Sequence, residues 1–105
     1  MWAQLISMRL AEGSEDELIG LMDALDAVEQ PDSGLLRSLT MTEQGDARQV
    51  HVLVVFASEE EARAREDDPR RQAALVPVRE KMAKIFEGPP TFADLDVVVE
   101  RSYGQ

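Results

Sequence analysis

The sequence predicts an α+β domain in which strands and helices follow the order β-α-β-β-α-α-β. Three observations lead to this prediction. The chain has 105 residues, which is enough for one compact domain. Apolar residues alternate with polar ones in some segments, as in half-buried strands, and recur every three or four positions in others, as in amphipathic helices. Turn sequences rich in Gly, Pro, Asp and Ser separate these segments.

The first strand is predicted over residues 1–11, followed by a helix over residues 14–30. One face of the strand carries Trp2, Gln4, Ile6, Met8 and Leu10. Ser14 and Glu17 have the spacing of a capping box, so we expect the helix to begin at Ser14. Its buried stripe is formed by Leu18, Leu21, Met22, Leu25 and Val28. The turn Pro31-Asp32-Ser33-Gly34 ends the helix.

A β-hairpin is predicted next, from a strand over residues 35–43 and a strand over residues 49–57. Residues 44–48 form its loop and contain Gly45-Asp46. The second of these strands holds the apolar run VHVLVVF. Such a near-continuous run is typical of a strand that is covered on both faces.

A short acidic helix is predicted after the hairpin. Ser58 and Glu61 form a second capping box, and residues 59–61 are glutamates at a helix N-terminus, where negative charge is favourable. We interpret these glutamates as structural, because adjacent helix positions point in different directions and cannot share a metal ion. Pro69 disfavours helical geometry in the preceding residue, so the helix should end near Asp67 and Asp68.

The last helix is predicted from about Arg71 to Phe86, and the last strand from Thr91 to Glu100. Pro77 is expected to kink or restart the helix, and Gly88-Pro89-Pro90 to stop it. The buried stripe of the helix is Leu75, Val78, Met82 and Ile85. Residues 1–100 are therefore expected to form a single domain, and residues 101–105 a C-terminal tail.

This order of elements is the split β-α-β, or ferredoxin-like, arrangement with its second helix broken in two. An antiparallel four-stranded sheet would carry the helices on one face. The other face is rich in Leu, Val and Ala and needs a cover. A second copy related by two-fold symmetry supplies one, so we predict a homodimer whose sheets pack into an α/β barrel.

Charge and composition exclude several classes of partner. The 21 acidic and 11 basic residues give a net charge of −10, which repels nucleic-acid backbones and anionic membrane surfaces. There is no cysteine, so disulfides and thiolate nucleophiles are excluded. No membrane-spanning run or signal-peptide pattern occurs, and we expect a cytoplasmic protein. Sequence motifs for a Ser-His-Asp hydrolase, a phosphate loop or a metal site are also missing.

Three stretches resemble a known family: ISMRLAEGSEDEL, PDSGLLRSLTM and VHVLVVFASEEEARAREDDPRR. They are similar to the antibiotic-biosynthesis monooxygenase-like domains of the dimeric α/β-barrel superfamily, and the resemblance covers nearly the whole chain. It implies a ligand pocket inside each subunit, between the helices and the sheet. It also implies relatives that oxygenate quinols or polyketide aromatics without metal or flavin, and another branch that degrades haem.

The resemblance implies a set of site residues and no cofactor or metal. The expected substrate-binding residues are Trp2, Gln4, Ile6, Met8, Phe56, Leu75, Val78 and Met82. Arg65 is the candidate catalytic residue, where it would stabilise a substrate phenolate or enolate, with Gln4 as a hydrogen-bonding partner. In the alternative interpretation, Arg65 is one of several surface arginines paired with neighbouring acids. Trp2 has an alternative role in packing beneath a helix.

The sequence departs from the chemical residues of this family. The Asn, Trp and His of the haem-degrading branch correspond to Ile6, Arg65 and Leu75, so haem degradation is not expected. Many quinol-oxidising relatives have a His at the position of Arg65, and some have one at the position of Arg70. Arginine stabilises anions but stays protonated, so it cannot replace histidine as a general base.

His51 is the only histidine and is predicted to lie on the strand face opposite Phe56. We interpret it as a hydrogen-bonded residue of an interface or edge, with a catalytic role as the alternative. One His without Cys argues against a closed zinc site.

Two functions remain open from the sequence. The first is a cofactor-independent monooxygenase, an oxidoreductase that acts on a small electron-rich aromatic of the quinol or anthrone type. There the substrate supplies the electrons, and the protein supplies desolvation and an anion-stabilising group. The second is a non-catalytic module of the same fold that binds a small aromatic or apolar ligand or serves in assembly.

Overall fold

A computed structural model describes residues 1–104, which contain four strands and three α-helices. The strands are β1 (Trp2–Leu10), β2 (Leu35–Glu43), β3 (Asp46–Phe56) and β4 (Phe86–Asp96). The helices are α1 (Leu18–Ala27), α2 (Glu59–Asp67) and α3 (Pro69–Ile85). The predicted order β-α-β-β-α-α-β is confirmed. Of the predicted tail, residues 101–104 have no regular structure, and Gln105 lies outside the described residues.

The strands form one antiparallel sheet in the order β2-β3-β1-β4. On β1, Gln4 lies between Val54 of β3 and Asp94 of β4, and Ser7 lies opposite His51. Because side chains alternate along a strand, the even-numbered residues of β1 and β3 face the helices and the odd-numbered ones face the open side. This arrangement confirms the ferredoxin-like α+β fold with helices on one face of the sheet.

The core is divided into two clusters. The first lies on the two central strands and holds Trp2, Met8, Leu10, Val50, Val52, Val54 and Phe56, with Leu18 and Ala62 above them. The second lies between α1 and α3 and holds Leu21, Leu75, Val78 and Ile85. Met22 and Phe86 contact both clusters. The space between the two clusters is where the candidate site lies.

The start of α1 differs from the prediction. Ser14 makes no side-chain cap, residues Glu15–Glu17 form a 3-10 turn, and α1 begins only at Leu18. The expected capping box is therefore wrong at this position. An N-cap residue needs extended backbone angles to present its side chain to the first turn, whereas Ser14 has φ −99° and ψ 7°. Ser58 is extended, with φ −156° and ψ 161°, and accepts a hydrogen bond from the Glu61 N–H at 3.1 Å, which confirms the second cap.

The α2–α3 boundary lies where the sequence predicts it. The α2 helix ends at Asp67, and Asp68 caps α3 by accepting the N–H of Arg70 at 2.9 Å. Pro69 fills the first position of α3, where its missing N–H costs nothing. Pro77 does not restart the helix, because α3 continues through it to Ile85. Within residues 1–104, no helix is long and apolar enough to cross a membrane.

The last strand begins earlier than predicted. It starts at Phe86 instead of residue 91, passes through Gly88-Pro89-Pro90 and ends at Asp96. The two prolines are tolerated because β4 is an edge strand and because its register with β1 shifts between Ser7 and Arg9. Residues 97–100, which were expected to continue the strand, have no regular structure.

Gly34, just before β2, packs closely against the start of α2. Its φ is +78°, and a Cβ added to it would lie 2.8 Å from the Glu61 Cβ. Its carbonyl oxygen also accepts the N–H of Ala57 at 3.0 Å. A larger residue at this position would be strained by the positive φ and would also clash with Glu61 in the first turn of α2.

We therefore expect Gly34→Ala to lower the free energy of unfolding by roughly 2–4 kcal/mol, because strain and overpacking add. Gly13→Ala is the matched control, since Gly13 has φ +86° and open space where the Cβ would lie. That variant should lose only about 1 kcal/mol. Urea denaturation of both variants measures the difference, and equal losses would show that the contact with Glu61 is unimportant.

Candidate ligand-binding site

A cavity of about 420 Å³ lies between the helix-facing side of the sheet and helices α1, α2 and α3. The sheet contributes Ile6, Met8, Val52 and Val54 to its wall, and the helices contribute Met22, Leu25, Leu75 and Met82. Methionine side chains are flexible and adapt to differently shaped ligands. The wall is therefore mainly apolar and deformable, as in many small-molecule sites.

The cavity exists because the outer strand β2 carries short side chains on its helix-facing side. The central strands fill the space above them with Met and Val, but β2 presents Ser38 and Thr40 there. On the opposite edge, Phe92 of β4 lines the cavity but is 59% exposed. The space above the sheet is thus left unfilled and is bordered by two hydroxyl groups and an aromatic ring.

The structure brings together six of the nine predicted site residues on this wall. They are Gln4, Ile6, Met8, Arg65, Leu75 and Met82. Trp2, Phe56 and Val78 lie outside the wall, in the packed clusters. Trp2 is 5% exposed, with the Arg63 guanidinium 5.0 Å from its ring centroid and the Phe56 ring 6.1 Å away. It thus packs in the core against Phe56 and Arg63.

Gln4 is held by neighbours at one side of the cavity. Its Nε2 donates to Asp94 Oδ1 at 3.0 Å, and Asp94 Oδ2 accepts a hydrogen bond from Arg63 at 3.0 Å. The hydrogen bond from Gln4, followed by that from Arg63, lowers the pKa of Asp94. The amide of Gln4 is therefore oriented by β4 before any ligand is present.

Arg65 and Glu29 form the most protected ion pair along the cavity. Arg65 Nε donates to Glu29 Oε2 at 2.8 Å and Nη2 to Oε1 at 2.7 Å, and each side chain is only 16% exposed. The guanidinium lies 5.2 Å from the centroid of the Phe56 ring. Burial alone would raise the pKa of Glu29, but hydrogen bonds from Arg65 and Ser33 outweigh it, so the pKa is lowered. A ligand anion at Arg65 must therefore share it with Glu29.

Arg71 is the site residue that the sequence analysis missed. It lines the cavity from α3, and its Nε is buried without a hydrogen-bond partner in the described part of the chain. Burial, and then repulsion by Arg65, lowers the pKa of Arg71. Helical periodicity could have predicted this residue. Arg71 precedes Leu75 by four positions and Val78 by seven, which places it on the buried stripe of α3.

A smaller polar cleft of about 170 Å³ lies on the other side of the Arg65–Glu29 pair. Asp32, Asp68 and Arg70 line it, and it shares Glu29, Arg65 and Arg71 with the cavity. Arg70 binds both Asp68, at 2.6 Å, and Asp32, at 3.0 Å. The Arg65–Glu29 pair therefore separates an apolar cavity from a polar cleft.

His51 lies on the open face of the sheet, opposite Phe56, where the alternation predicts it. Its Nδ1 is 2.8 Å from Ser7 Oγ, and its Nε2 is 2.8 Å from Glu43 Oε2. This Ser-His-Glu chain was not visible as a sequence motif, because strand pairing brings its members together. It lies on the open face of the sheet, where the backbone N–H groups of the central strands are used in strand pairing and are not available to an oxyanion. We interpret it as a structural hydrogen-bond chain. No group of three possible metal ligands is present in residues 1–104.

Comparisons with known proteins give matches among solved structures. No protein-family model and no curated protein matches the sequence. A putative antibiotic biosynthesis monooxygenase from Chloroflexus aurantiacus has a TM-score of 0.70 at 20% identity, over 99% of this chain and 100% of that one. A variant of SnoaB, a cofactor-independent oxygenase from Streptomyces nogalater, has a TM-score of 0.70 at 10% identity, over 94% and 95%. A variant of MhuD with two manganese protoporphyrin IX molecules per active site has a TM-score of 0.78 at 14% identity, over 97% and 99%.

The chain therefore has the fold of antibiotic-biosynthesis-monooxygenase structures along nearly its whole length. This confirms the resemblance that the sequence predicts, at the level of the fold.

We expect Glu29→Gln to lower the free energy of unfolding at pH 7 by about 1–2 kcal/mol, because two charge-assisted hydrogen bonds lose their charge while some solvent screening remains. The folded pKa of Glu29 is below its ordinary value of 4.5. Its stabilising contribution is therefore complete above about pH 4.5 and is lost as the pH falls through the folded pKa. Urea denaturation from pH 7 to pH 3 should show the gap between wild type and variant closing.

The matched control for this prediction is Asp32→Asn, which removes the charge of an ion pair whose acid side chain is 67% exposed. That change should alter the stability little at any pH. A gap between wild type and Glu29→Gln that stays constant down to pH 3 would contradict the assigned role of the Glu29 charge.

Proposed function

We propose that this protein binds a small aromatic ligand in the 420 Å³ cavity and oxygenates it with dioxygen, without a cofactor. The observation that supports this most is the cavity itself, a mainly apolar cleft of ligand size that lies between the helices and the sheet and opens to solvent. The fold supports it too, since SnoaB, a cofactor-independent oxygenase, shares that fold at a TM-score of 0.70. The substrate class is an electron-rich quinol or anthrone.

The reaction for an anthrone-type substrate balances without a further reductant. The substrate loses a proton to give an enolate, which transfers electrons to O₂. One oxygen atom then becomes the new carbonyl oxygen, the other leaves as water, and the CH₂ group has become C=O. Proton removal requires a base. Three carboxylates line the cavity, and two of them, Glu29 and Glu66, pair with arginines, so we propose Asp26 at the end of α1 for this role. Exclusion of water by the apolar wall raises the energy of the anion unless a positive group stabilises it.

Arg65 is the proposed anion-stabilising residue. Glu29 uses the Nε–H and one N–H of Nη2, so the two N–H groups of Nη1 and the second one of Nη2 are left for a ligand oxygen. The bidentate pair fixes the guanidinium plane, which preorganises these donors before the substrate binds. Gln4, oriented by Asp94, supplies a second polar group on the same wall.

A second candidate function is a non-catalytic small-molecule-binding module. One observation favours it: the Glu29 carboxylate already neutralises Arg65, and the only histidine lies on the opposite face of the sheet. In this alternative the cavity binds an aromatic or apolar ligand, and the Arg65–Glu29 pair serves only to hold α2 against the segment after α1.

Oxygen uptake separates the two functions. Metal-free protein is mixed with a panel of hydroquinones and anthrones, and dissolved oxygen is followed with an electrode. We expect uptake above autoxidation with wild-type protein and a loss of roughly 100-fold or more in Arg65→Ala, because the enolate loses its positive partner. The double variant Arg65→Gln with Glu29→Gln keeps a neutral hydrogen-bonded pair and controls for misfolding. It should fold and still be inactive.

Full activity in the double variant would remove the Arg65 charge from the mechanism. No uptake with wild-type protein across the panel, together with measurable ligand binding, would establish the binding-module alternative.

We also propose that the protein is a homodimer formed through the open face of the sheet. Leu5, Leu39, Leu53 and Val55 on this face are only partly buried within one chain. Met41 and Leu95, on the same face, are each 41% exposed. An apolar sheet face of this extent is normally covered, and a second copy related by a two-fold axis covers it with identical residues.

Leu53→Glu should convert the dimer to a monomer, because it places a charge at the centre of the apolar face. Sedimentation velocity at micromolar concentration measures the mass. Ile19→Glu is the control, since Ile19 is an apolar residue that is 77% exposed on α1. That variant should remain dimeric, and a wild-type protein that sediments as a monomer would overturn the proposed interface.

A further inference from the structure

We propose that the cavity selects aromatic ligands that carry an anionic oxygen, a carboxylate or an ionised phenol, and that Arg71 binds this group. The inference rests on the proposed function, in which the cavity holds an aromatic ligand, and it adds the substrate class and the residue that selects it. It starts from one observation: Arg71 presents a cation at the cavity that no acidic side chain of the described residues pairs with.

Arg71 differs from the other arginines around the cavity, of which two are paired with acids and the third, Arg79, is exposed to solvent. Arg70 is bound by Asp68 and Asp32, and Arg65 is bound by Glu29. With 21 acids and 11 bases, the sequence has carboxylates in excess. Even so, the Nε of Arg71 is buried without a hydrogen-bond partner within residues 1–104. A buried N–H without a partner is unfavourable, and most folded proteins avoid it.

The local charges leave room for one more negative group. Arg65 and Arg79 repel Arg71, whereas Glu29 and Glu66 attract it, and burial together with that repulsion keeps its pKa lowered. Glu29 is already held by both of its oxygens on Arg65. A ligand carboxylate on the terminal nitrogens of Arg71 would neutralise this cation and reduce the repulsion among the arginines at the same time. The planar guanidinium also matches a carboxylate in a two-point hydrogen bond.

The position of Arg71 defines the shape of the ligand. It lies one helical turn before Leu75 on the wall, where the apolar cavity meets the polar cleft. A ligand with an apolar ring system in the cavity and an acidic group at one end fits this division. The volume of about 420 Å³ is toward the lower end of the range for ligand pockets, which corresponds to two or three fused rings.

Two probes that differ only in a carboxylate test the inference: 1-hydroxy-2-naphthoate and 1-naphthol, titrated by calorimetry at pH 7. We expect wild-type protein to bind the naphthoate roughly 10- to 100-fold more tightly, which is the range for a charge-assisted hydrogen bond. Arg71→Met should lose this preference and keep its affinity for 1-naphthol. Arg71→Lys should retain part of it, because a lysine keeps the charge without the fork.

Arg101→Met is the matched control, since it removes one arginine charge from the C-terminal segment, away from the cavity wall. It should bind both probes as wild type does. Thermal unfolding gives a second readout that a purely structural residue would not show. Arg71→Met should melt at the same temperature as wild type or higher, because an unpaired buried group has been removed. The naphthoate should stabilise wild type but not this variant.

The outcomes separate this inference from the proposed function. Equal affinities for the two probes in wild type, or an unchanged preference in Arg71→Met, would overturn the role of Arg71 and leave the aromatic site intact. Failure of wild type to bind either probe would overturn the aromatic site itself, and the assignment of Arg71 with it.

Discussion

The Arg65–Glu29 ion pair is the contact on which the arrangement of the site depends. It joins α2 to the segment that follows α1, with both side chains mostly buried and with two hydrogen bonds of 2.7 and 2.8 Å. It stacks on Phe56 at the end of β3, so the sheet is tied in as well. Because both side chains are mostly withdrawn from solvent, the loss of either partner leaves a partly desolvated charge unpaired and destabilises the fold. The pair also engages Glu29, the acid that attracts Arg71 most strongly, and so leaves Arg71 available for a ligand.

Much of the fold could be predicted from the sequence because local patterns and long-range packing agree there. The β2 strand runs over residues 35–43 as predicted, and the cap at Ser58 begins α2. The misses arise where backbone geometry overrides a motif. Ser14 has the residue type of a cap without its backbone angles, and the edge position of β4 lets a strand run through Pro89 and Pro90.

Part of the candidate site could also be predicted, because two periodic patterns place residues on facing surfaces. Alternation along β1 and periodicity along α3 place Gln4, Ile6, Met8, Leu75 and Met82 on facing surfaces, where they line the cavity. Sequence alone could not separate residues that line a space from residues that fill it, so Trp2, Phe56 and Val78 were included. Glu29, the partner of Arg65, lies more than 30 residues away in the sequence, and it is engaged by Arg65 and not by Arg71. No local sequence pattern predicts a contact over that distance.

The division of the core into two clusters has a consequence for how the protein moves. The central strands β1 and β3 are held on both sides by hydrogen-bonded neighbours, whereas the α1–α3 layer meets them across a cavity, with Met22 and Phe86 as contacts common to both clusters. Regions with fewer buried contacts open at lower free energy than the rest of a domain. The helical layer is thus the part of the domain that opens at the lower free energy, and its opening gives a large ligand a path into the cavity. The sheet, with any surface that it shares with a second copy, keeps its structure while the helices move.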